Sequence, residues 1–363
     1  MPDTISFARG APSLDIIDVE GLKAAAQRAF EKDPAGTTAY GTAVGYQPLR
    51  AWLADKHGVA PERVLVTNGS MQADAFLFET LVHQGDAVVV EKPTYDRTLL
   101  NLRGRGAEIH AIDLEHDGIS TDQLERLLHS GVRPTLAHII PNFQNPAGYT
   151  LSQQKRDRLL ELAAEFGFVL FEDDPYIEIR FSGEPLPTML ERDEHERVIY
   201  ASSFSKTVCP GIRVGYLVGP KERIAEIQRL ATNTYISPNM VAQSIVYEFC
   251  SSGAMEGAVE TVKTALAARV ERLTAALERE LPQAKFQKPE GGYFMWVELP
   301  EGTEIDKVFA AANERGVAIV KGTDFLLEGG ENTLRLAYSG VTEDQIDEGV
   351  ARLAAAVNAA ATA

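Results

Sequence analysis

The 363-residue sequence has few of the features that mark disulfide-rich, membrane-spanning and nucleic-acid-binding proteins. Two cysteines are too few for a disulfide framework. No apolar run approaches the roughly 18 residues that cross a bilayer. Acidic residues outnumber basic ones, 52 to 35, which gives a net charge of −17 and a surface that repels phosphate backbones. We therefore expect no membrane insertion and no nucleic acid partner.

Metal sites and export signals are equally poorly supported. The 7 histidines are scattered, and none pairs with another at metal-ligand spacing, so we predict no metal site. The N-terminal residues lack a basic segment followed by an apolar one, so we predict no secretory signal. Together with the low cysteine content, this favours a cytoplasmic location.

Short apolar runs alternate with amphipathic stretches through the first two thirds of the chain. Gly residues lie at or near the ends of the helical stretches, as is usual for helix termini. The alternation predicts an α/β fold in which a mainly parallel, seven-stranded sheet lies between helices. The predicted strands are 64–67, 87–91, 108–114, 136–142, 168–174, 198–203 and 214–219, and the clearest helices are 72–84, 121–131 and 151–167.

The pattern changes after about residue 237. A long helical run is followed by strand-like segments and a last helix, which predicts a second, smaller α+β domain. The first 30 residues hold one amphipathic helix, 19–31, and no clear strand. We expect a large domain over 33–245, and a small domain formed by the N-terminal arm, 1–32, with 246–363. The predicted elements of the small domain are a helix at 255–281, strands at 291–299, 317–322 and 333–339, and a helix after Thr342.

Polar side chains follow several of the predicted strands, where open α/β sheets bind their ligands. The turn at Gly69–Ser70 opens a helix whose first N–H groups can bind phosphate, and Arg213 can add a fixed cation. A carboxylate after strand 168–174 can pair with a ring cation, and Lys206 can form an imine with an aldehyde. This inventory favours a phosphorylated aromatic cation as the ligand.

Several segments in this order resemble motifs of pyridoxal-phosphate-dependent aminotransferases of classes I and II, which have fold type I. The resemblance covers nearly the whole chain and is closest to the branch of 2-aminoadipate and kynurenine aminotransferases. It extends to the catalytic half of MocR-type regulators, but the sequence starts at the aminotransferase arm, which favours an enzyme. The matching segments are YGTAVGYQPLR, TNGSMQ, EKPTY, PNFQNPAG, EDDPY, SSFSKTVCPGIRVGY and LRLAYS.

The resemblance implies pyridoxal 5'-phosphate as cofactor and three catalytic residues. Lys206 would form the imine and move the substrate proton. Asp173 would pair with the ring nitrogen, and the spacing to Tyr176 favours it over Asp174. Tyr176 would bond the phenolic oxygen of the ring together with Asn145.

The remaining roles implied by the resemblance concern the phosphate and the substrate. The phosphate would be held by Ser70, the Met71 backbone, Ser203, Ser205 and Arg213. Met71 can offer only its backbone, because it lacks the side-chain amide of the Gln that the family often has at this position. The other implied contacts are ring stacking by Tyr95, binding of the substrate carboxylate by Arg335, substrate contacts at Gly10 and Asn145, and a reach by Tyr40 to the phosphate of a partner subunit, which implies a homodimer with shared active sites.

The implied activity is transfer of the amino group of an L-amino acid to a 2-oxo acid, 2-oxoglutarate or pyruvate, by a ping-pong ketimine reaction. Other pyridoxal-phosphate chemistry on this fold, a β-lyase or a decarboxylase, stays open, as does a cofactor-binding sensor without turnover. Arg9 favours a dicarboxylic donor, whereas Phe143, Tyr149 and Tyr235 allow an aromatic or branched one. The residues do not choose between these donors.

Overall fold

The computed structural model describes residues 4–361. The helices are α1 Val19–Lys32, α2 Pro34–Thr38, α3 Gln47–Lys56, α4 Ser70–Leu81, α5 Asp96–Gly104, α6 Thr121–His129, α7 Gln153–Phe166, α8 Lys221–Tyr235, α9 Met240–Ser251, α10 Ala254–Glu280, α11 Ile305–Glu314 and α12 Glu343–Ala361. The strands are β1 Ile5–Ser6, β2 Val64–Thr67, β3 Ala87–Lys92, β4 Glu108–Glu115, β5 Gly118–Ile119, β6 Leu136–Ile139, β7 Val169–Asp173, β8 Val198–Ser203, β9 Gly215–Val218, β10 Lys285–Phe286, β11 Phe294–Glu298, β12 Val317–Ala318, β13 Val320–Lys321 and β14 Thr333–Ala337.

The larger sheet has eight strands in the order β2-β9-β8-β7-β6-β3-β4-β5. The pairs from β8 through β4 are parallel, whereas β9 and β5 run antiparallel to their neighbours. The prediction of an α/β fold with a mainly parallel sheet is confirmed, and all seven predicted strands belong to this sheet. The eighth strand, β5, has two residues and therefore gives no alternation signal in the sequence.

Helices cover both faces of this sheet, so its strands are buried on both sides. On β2, Val64 and Val66 face one apolar core, and Leu65 faces the other. Phe168 belongs to the first core and Phe78 of α4 to the second. Burial on both faces is why the central strands read as unbroken apolar runs.

The smaller sheet has the order β10-β11-β14-β13 and is antiparallel. Leu266 of α10, Val308 of α11 and Leu353 of α12 share one apolar core with this sheet. The N-terminal strand β1 pairs in parallel with β12, and Ala337 donates a backbone hydrogen bond to Phe7 at 2.8 Å. The smaller α+β unit is therefore present, and the N-terminal segment contributes a strand that the sequence pattern does not show.

Two predicted strands are wrong in extent. Segment 136–142 ends as a strand at Ile139, because the N–H of Ile140 donates to the Glu91 carboxylate at 3.1 Å and Pro141 has no N–H. Segment 317–322 divides into β12 and β13, which pair with different sheets. The bond from Ile140 to Glu91 thus ends β6, and pairing with two different strands, β1 and β14, divides segment 317–322.

Arg156 of α7 holds the loop that follows β6. Its guanidinium is fully buried and donates to the carbonyl oxygens of Leu151 and Pro187 and to Oδ1 of Asn142, at 2.9–3.1 Å. The amide of Asn142 in turn donates to Asp174 at 2.7 Å. This network fixes the loop at the carboxyl end of β6.

Among residues 4–361, every helix is too short or too polar to span a lipid bilayer.

Replacing Arg156 by Met should lower the free energy of unfolding by about 3–5 kcal/mol, because it leaves buried oxygens and a buried carboxyl without their cation. Arg158 on the same helix has partly exposed ion pairs with Glu125 and Glu161, so Arg158→Met should cost no more than about 1 kcal/mol. Urea unfolding of both variants measures the difference. Equal losses would show that the loop does not depend on the buried guanidinium.

Candidate active site

A cavity of about 500 Å³ lies between the carboxyl ends of the large sheet and the smaller sheet. All the site residues predicted from the sequence line it except Tyr40, whose side chain is 88% exposed. Arg9, Phe143, Tyr149 and Tyr235 are not among the lining residues. The substrate hints drawn from these four therefore do not apply to the cavity wall. The predicted residues on the wall are Gly10, Ser70, Met71, Tyr95, Asn145, Asp173, Tyr176, Ser203, Ser205, Lys206, Arg213 and Arg335.

One end of the cavity is built to bind an anion. Helix α4 begins at Ser70, directly after Gly69 with φ +85°, and a helix start leaves its first N–H groups free for an anion. A Cβ on Gly69 would lie 2.2 Å from Nη2 of Arg213, so glycine lets the guanidinium reach the helix start. Arg213 donates to Oγ of Ser205 at 3.0 Å, and the Ser205 N–H donates to Oγ of Ser203 at 3.1 Å. N–H groups, hydroxyls and one cation thus converge as a phosphate group requires.

Lys206 lies in the middle of the cavity, just beyond β8. Its Nζ donates to the carbonyl oxygen of Gly10 at 2.5 Å and lies 5.5 Å and 5.2 Å from the ring centroids of Tyr176 and Tyr293. Burial, and then the positive charge of Arg335, lower the pKa of Lys206 to about 8. Roughly a tenth of the amine is therefore uncharged at pH 7, far more than for an ordinary lysine, and the uncharged form is the one that acts as a nucleophile or base.

Asp173 ends β7 on the floor of the cavity and is 5% exposed. Its Oδ2 lies 3.2 Å from Nε2 of His138, which is fully buried on the adjacent strand β6. The next residue, Asp174, turns away from the cavity and accepts a hydrogen bond from Asn142. The spacing argument for Asp173 over Asp174 thus agrees with the direction of the two side chains, and Asp173 offers a buried partner for a cation.

Arg335 on β14 forms the wall contributed by the smaller sheet. Its Nη1 donates to Oδ1 of Asn145 at 2.9 Å, and its Nη2 donates to the carbonyl oxygen of Ala8 at 2.7 Å. The guanidinium carbon lies 4.3 Å and 4.8 Å from the ring centroids of Phe294 and Phe325. Two rings therefore fix the plane of a guanidinium whose fork suits a carboxylate.

Two phenols complete the wall. Burial raises the pKa of Tyr176 above its ordinary value, and burial raises the pKa of Tyr95 to about 12. Both hydroxyls keep their protons at neutral pH and can donate hydrogen bonds. The Tyr95 hydroxyl lies 3.7 Å from Sδ of Met71.

Sequence reasoning missed several residues of the site. Asp74 lies one turn into α4 after Ser70, so helical spacing places it beside the predicted anion site. His138 lies behind Asp173 and has no signal beyond its place in a buried strand. The other lining residues that carried no prediction include Asp96, Arg97, Phe294, Val320, Asp324 and Phe325. Among residues 4–361, no group of three or more His, Cys, Asp or Glu side chains could hold a metal ion.

Replacing Arg335 by Gln should raise the pKa of Lys206 above its value of about 8, because a neighbouring positive charge is removed. The pH dependence of Lys206 acetylation by a limiting amount of acetic anhydride, followed by peptide mass spectrometry, measures this pKa in the apoprotein. Arg97→Gln is the control, since Arg97 lines the cavity and is not among the charges that shift Lys206. An unchanged pKa in Arg335→Gln would mean that the charge of Arg335 does not contribute to the shift.

Known proteins share both the sequence and this architecture. The "Aromatic-amino-acid aminotransferase 1" of Thermococcus litoralis is 34% identical to this chain, over 97% of the chain and 87% of its own length. The "2-aminoadipate transaminase" of Thermus thermophilus is 35% identical over 98% of the chain and 90% of its own length.

A solved structure is similar along the whole backbone. The α-aminoadipate aminotransferase LysN of Thermus thermophilus, complexed with N-(5'-phosphopyridoxyl)-L-leucine, superposes with a TM-score of 0.94 at 34% identity, covering 99% of this chain and 93% of that one. The sequence profile described as "Aminotransferase class I and II" matches residues 2–353. The chain therefore belongs to the class I and II aminotransferases.

Proposed function

We propose that this chain transfers the amino group of a broad set of L-amino acids to 2-oxoglutarate or pyruvate, with Lys206 as the residue that moves the proton. As a class I and II aminotransferase, it is a pyridoxal-phosphate-dependent enzyme. The observation that carries the assignment of Lys206 is that it shares the cavity with the anion site at Ser70 and with Asp173, where burial lowers its pKa and the charges of Arg213 and Asp173 act on it. When bound, pyridoxal 5'-phosphate supplies an aldehyde and an electron-withdrawing cationic ring.

The donor set of the cavity fits pyridoxal 5'-phosphate. We assign the phosphate to the N–H groups that begin α4 and to the side chains of Ser70, Ser203, Ser205 and Arg213. The close approach of Arg213 to Gly69, where a Cβ would collide, supports this assignment. The remaining assignments are the ring nitrogen to Asp173, the phenolic oxygen to Tyr176 and Asn145, and the ring face to Tyr95.

Lys206 and Arg335 act on different parts of the substrate. We assign the substrate carboxylate to Arg335, whose buried Nε has no hydrogen-bond partner among residues 4–361 and whose plane is fixed by two rings. The Lys206 amine takes a proton from the α-carbon of the donor in the first half-reaction, and it delivers a proton to the α-carbon of the acceptor in the second. Phe294 and Phe325 exclude water beside these groups, which strengthens their electrostatic interactions.

Phe294, Val320 and Phe325 line part of the cavity wall near Arg335, which supports donors with apolar or aromatic side chains. Asp96 and Asp324 add negative charge to this wall. A second carboxylate, on a donor or on 2-oxoglutarate, would be repelled by these acids unless it lay against a cation. Arg97, which lines the same cavity, is the cation that we assign to the distal carboxylate of 2-oxoglutarate.

A homodimer with shared active sites is also part of the proposal. Exposed Tyr40 and Val241 lie close together, because Gly41 packs against Met240. The N–H of Asn239 donates to Asn68 at 2.8 Å, so this surface borders the anion site at Ser70. We propose that Tyr40 reaches the phosphate in the partner subunit.

The proposal extends to the domain division and to the location of the protein in the cell. We propose the division into a domain over 33–245 and a domain formed by 1–32 with 246–363. We propose a cytoplasmic location, which the two free cysteines, Cys209 and Cys250, support.

The test of the function uses the absorbance of the protein loaded with pyridoxal 5'-phosphate, before and after single amino acids are added. We expect a visible band that shifts to the pyridoxamine form with apolar and aromatic donors, and conversion of 2-oxoglutarate or pyruvate. Lys206→Ala should lose the band and at least about 10³-fold in turnover, because it removes both the covalent and the proton-transfer function. The exposed Lys221→Ala on α8 should keep both.

Three other outcomes would redirect this proposal. A band that forms but never shifts with any amino acid would favour a sensor. Release of ammonia or carbon dioxide without a new amino acid would favour a lyase or a decarboxylase. Absence of any band in the wild type would remove the assignment of Lys206.

If the protein is a dimer, its mass measured by sedimentation should be about twice the chain mass of 39.6 kDa. Tyr40→Phe should weaken binding of pyridoxal 5'-phosphate by about tenfold, since one hydrogen bond to a charged group is lost. Tyr149→Phe, outside the cavity, is the matched control. A monomer whose cofactor affinity is unchanged by Tyr40→Phe would contradict the shared site.

A further inference from the structure

Asp74 is a buried carboxyl group in the cavity for which the proposed reaction has no use. It lies in the second turn of α4, is 4% exposed and lines the cavity. Its Oδ1 atom has no hydrogen-bond partner among residues 4–361. A polar atom buried without a partner costs free energy, so its retention in the cavity wall calls for a function.

The groups around Asp74 include one other carboxylate that acts on it directly. Burial and then the charge of Asp173 on β7 raise its pKa. Burial, Asp96 and then both Asp74 and Asp173 raise the pKa of Tyr95, at the start of α5. α8 packs apolar side chains such as Ile227 into the core shared with α4, and β9 does so through Leu217. The other titratable or charged groups nearby are Glu91 of β3, Asp96 and Arg97 of α5, His138 of β6, Lys206, Arg213 and, against Phe76, Tyr235.

The two carboxyl groups are not equivalent. Oδ2 of Asp173 lies 3.2 Å from Nε2 of His138, whereas no hydrogen-bond donor among residues 4–361 reaches Oδ1 of Asp74. A negative charge on one carboxylate opposes the ionisation of a neighbouring one. The proton is retained where ionisation is least compensated, which is on Asp74. Burial and the charge of Asp173 accordingly raise the pKa of Asp74 well above its ordinary value.

We propose that Asp74 and Asp173 form one acid pair that responds to a cation. Asp74 holds a proton in the apoprotein and releases it to solvent when the positive ring nitrogen of the cofactor is placed against Asp173, while Arg213 and the first N–H groups of α4 balance the charge of the phosphate. Asp74 is then a positioning residue, which acts through Asp173. This inference rests on the proposed function, because the cation is that of pyridoxal 5'-phosphate.

The first test is the pH dependence of thermal unfolding of the apoprotein. A carboxyl whose pKa is raised by folding stabilises the protein at low pH, and this stabilisation is lost as the pH rises toward the raised value. Relative to Asp74→Asn, the wild-type Tm should therefore fall as the pH rises above about 5, by up to about 2 °C per pH unit, until the raised pKa is passed. Asp74→Leu should show the same flatter profile and replaces Asp74→Asn if that variant does not fold.

The matched control is Glu79→Gln on the same helix. Glu79 is exposed and pairs with Arg105 at 3.3 Å, so the substitution removes a carboxyl of α4 outside the acid pair. Its unfolding profile should follow the wild type. Equal profiles for the wild type and Asp74→Asn would overturn the proposal, because Asp74 would then hold no proton.

The second test is the Kd of the apoprotein for pyridoxal 5'-phosphate, measured by fluorescence quenching across the same pH range. Release of one proton on binding makes binding tighter as the pH rises, by up to about tenfold per pH unit. The titrations of the cofactor itself are common to both proteins, so the Kd of Asp74→Asn divided by that of the wild type should rise with pH. A constant ratio would exclude proton release. Failure of the wild type to bind at all would instead contradict the proposed function, while the unfolding profile still decides whether Asp74 holds a proton.

Discussion

The hydrogen bonds of Arg335 join three parts of the chain that are far apart in sequence. Its guanidinium contacts Asn145 in the loop after β6 and Ala8 in the N-terminal segment, and it belongs to β14 of the smaller sheet. A planar cation with five donors can serve two directions at once and still present an edge to a ligand. These three parts meet at one wall of the cavity, and Asn145 and Ala8 each lose a hydrogen bond if the guanidinium is removed.

The cavity gathers charges of both signs in a chain whose overall balance is acidic. Lys206, Arg213 and Arg335 line it, and so do Asp74, Asp96, Asp173 and Asp324. A ligand with a phosphate and a ring cation finds a partner for each charge here, Arg213 for the phosphate and Asp173 for the cation. The net charge of −17 therefore gives no guide to the site, since local clusters and not the sum determine which ions bind.

The fold was readable from the sequence because burial on both faces gives the central strands of the large sheet long apolar runs. The two-residue strands β1 and β5 were not readable, since their pairing depends on segments distant in sequence or on a tight turn. Polar residues at strand ends, such as Lys206, also stand out in the sequence, since the carboxyl ends of parallel strands share one edge, whereas the roles of Arg335 and Tyr95 follow only from the resemblance to the family. Asp74 has only its helical spacing from Ser70 as a signal. His138 has none, because a single polar residue in a buried strand has no pattern until its neighbours in space are known.

Gly10 limits which sequences the N-terminal segment can accept. A Cβ at this position would lie 2.3 Å from Cζ of Phe294, and Phe294 is one of the two rings that hold Arg335 in plane. Any side chain at position 10 would push this ring, and with it the guanidinium. The mutational tolerance of a segment near the chain start is thus set by an aromatic residue nearly 300 positions later, and variation at the two positions should be linked.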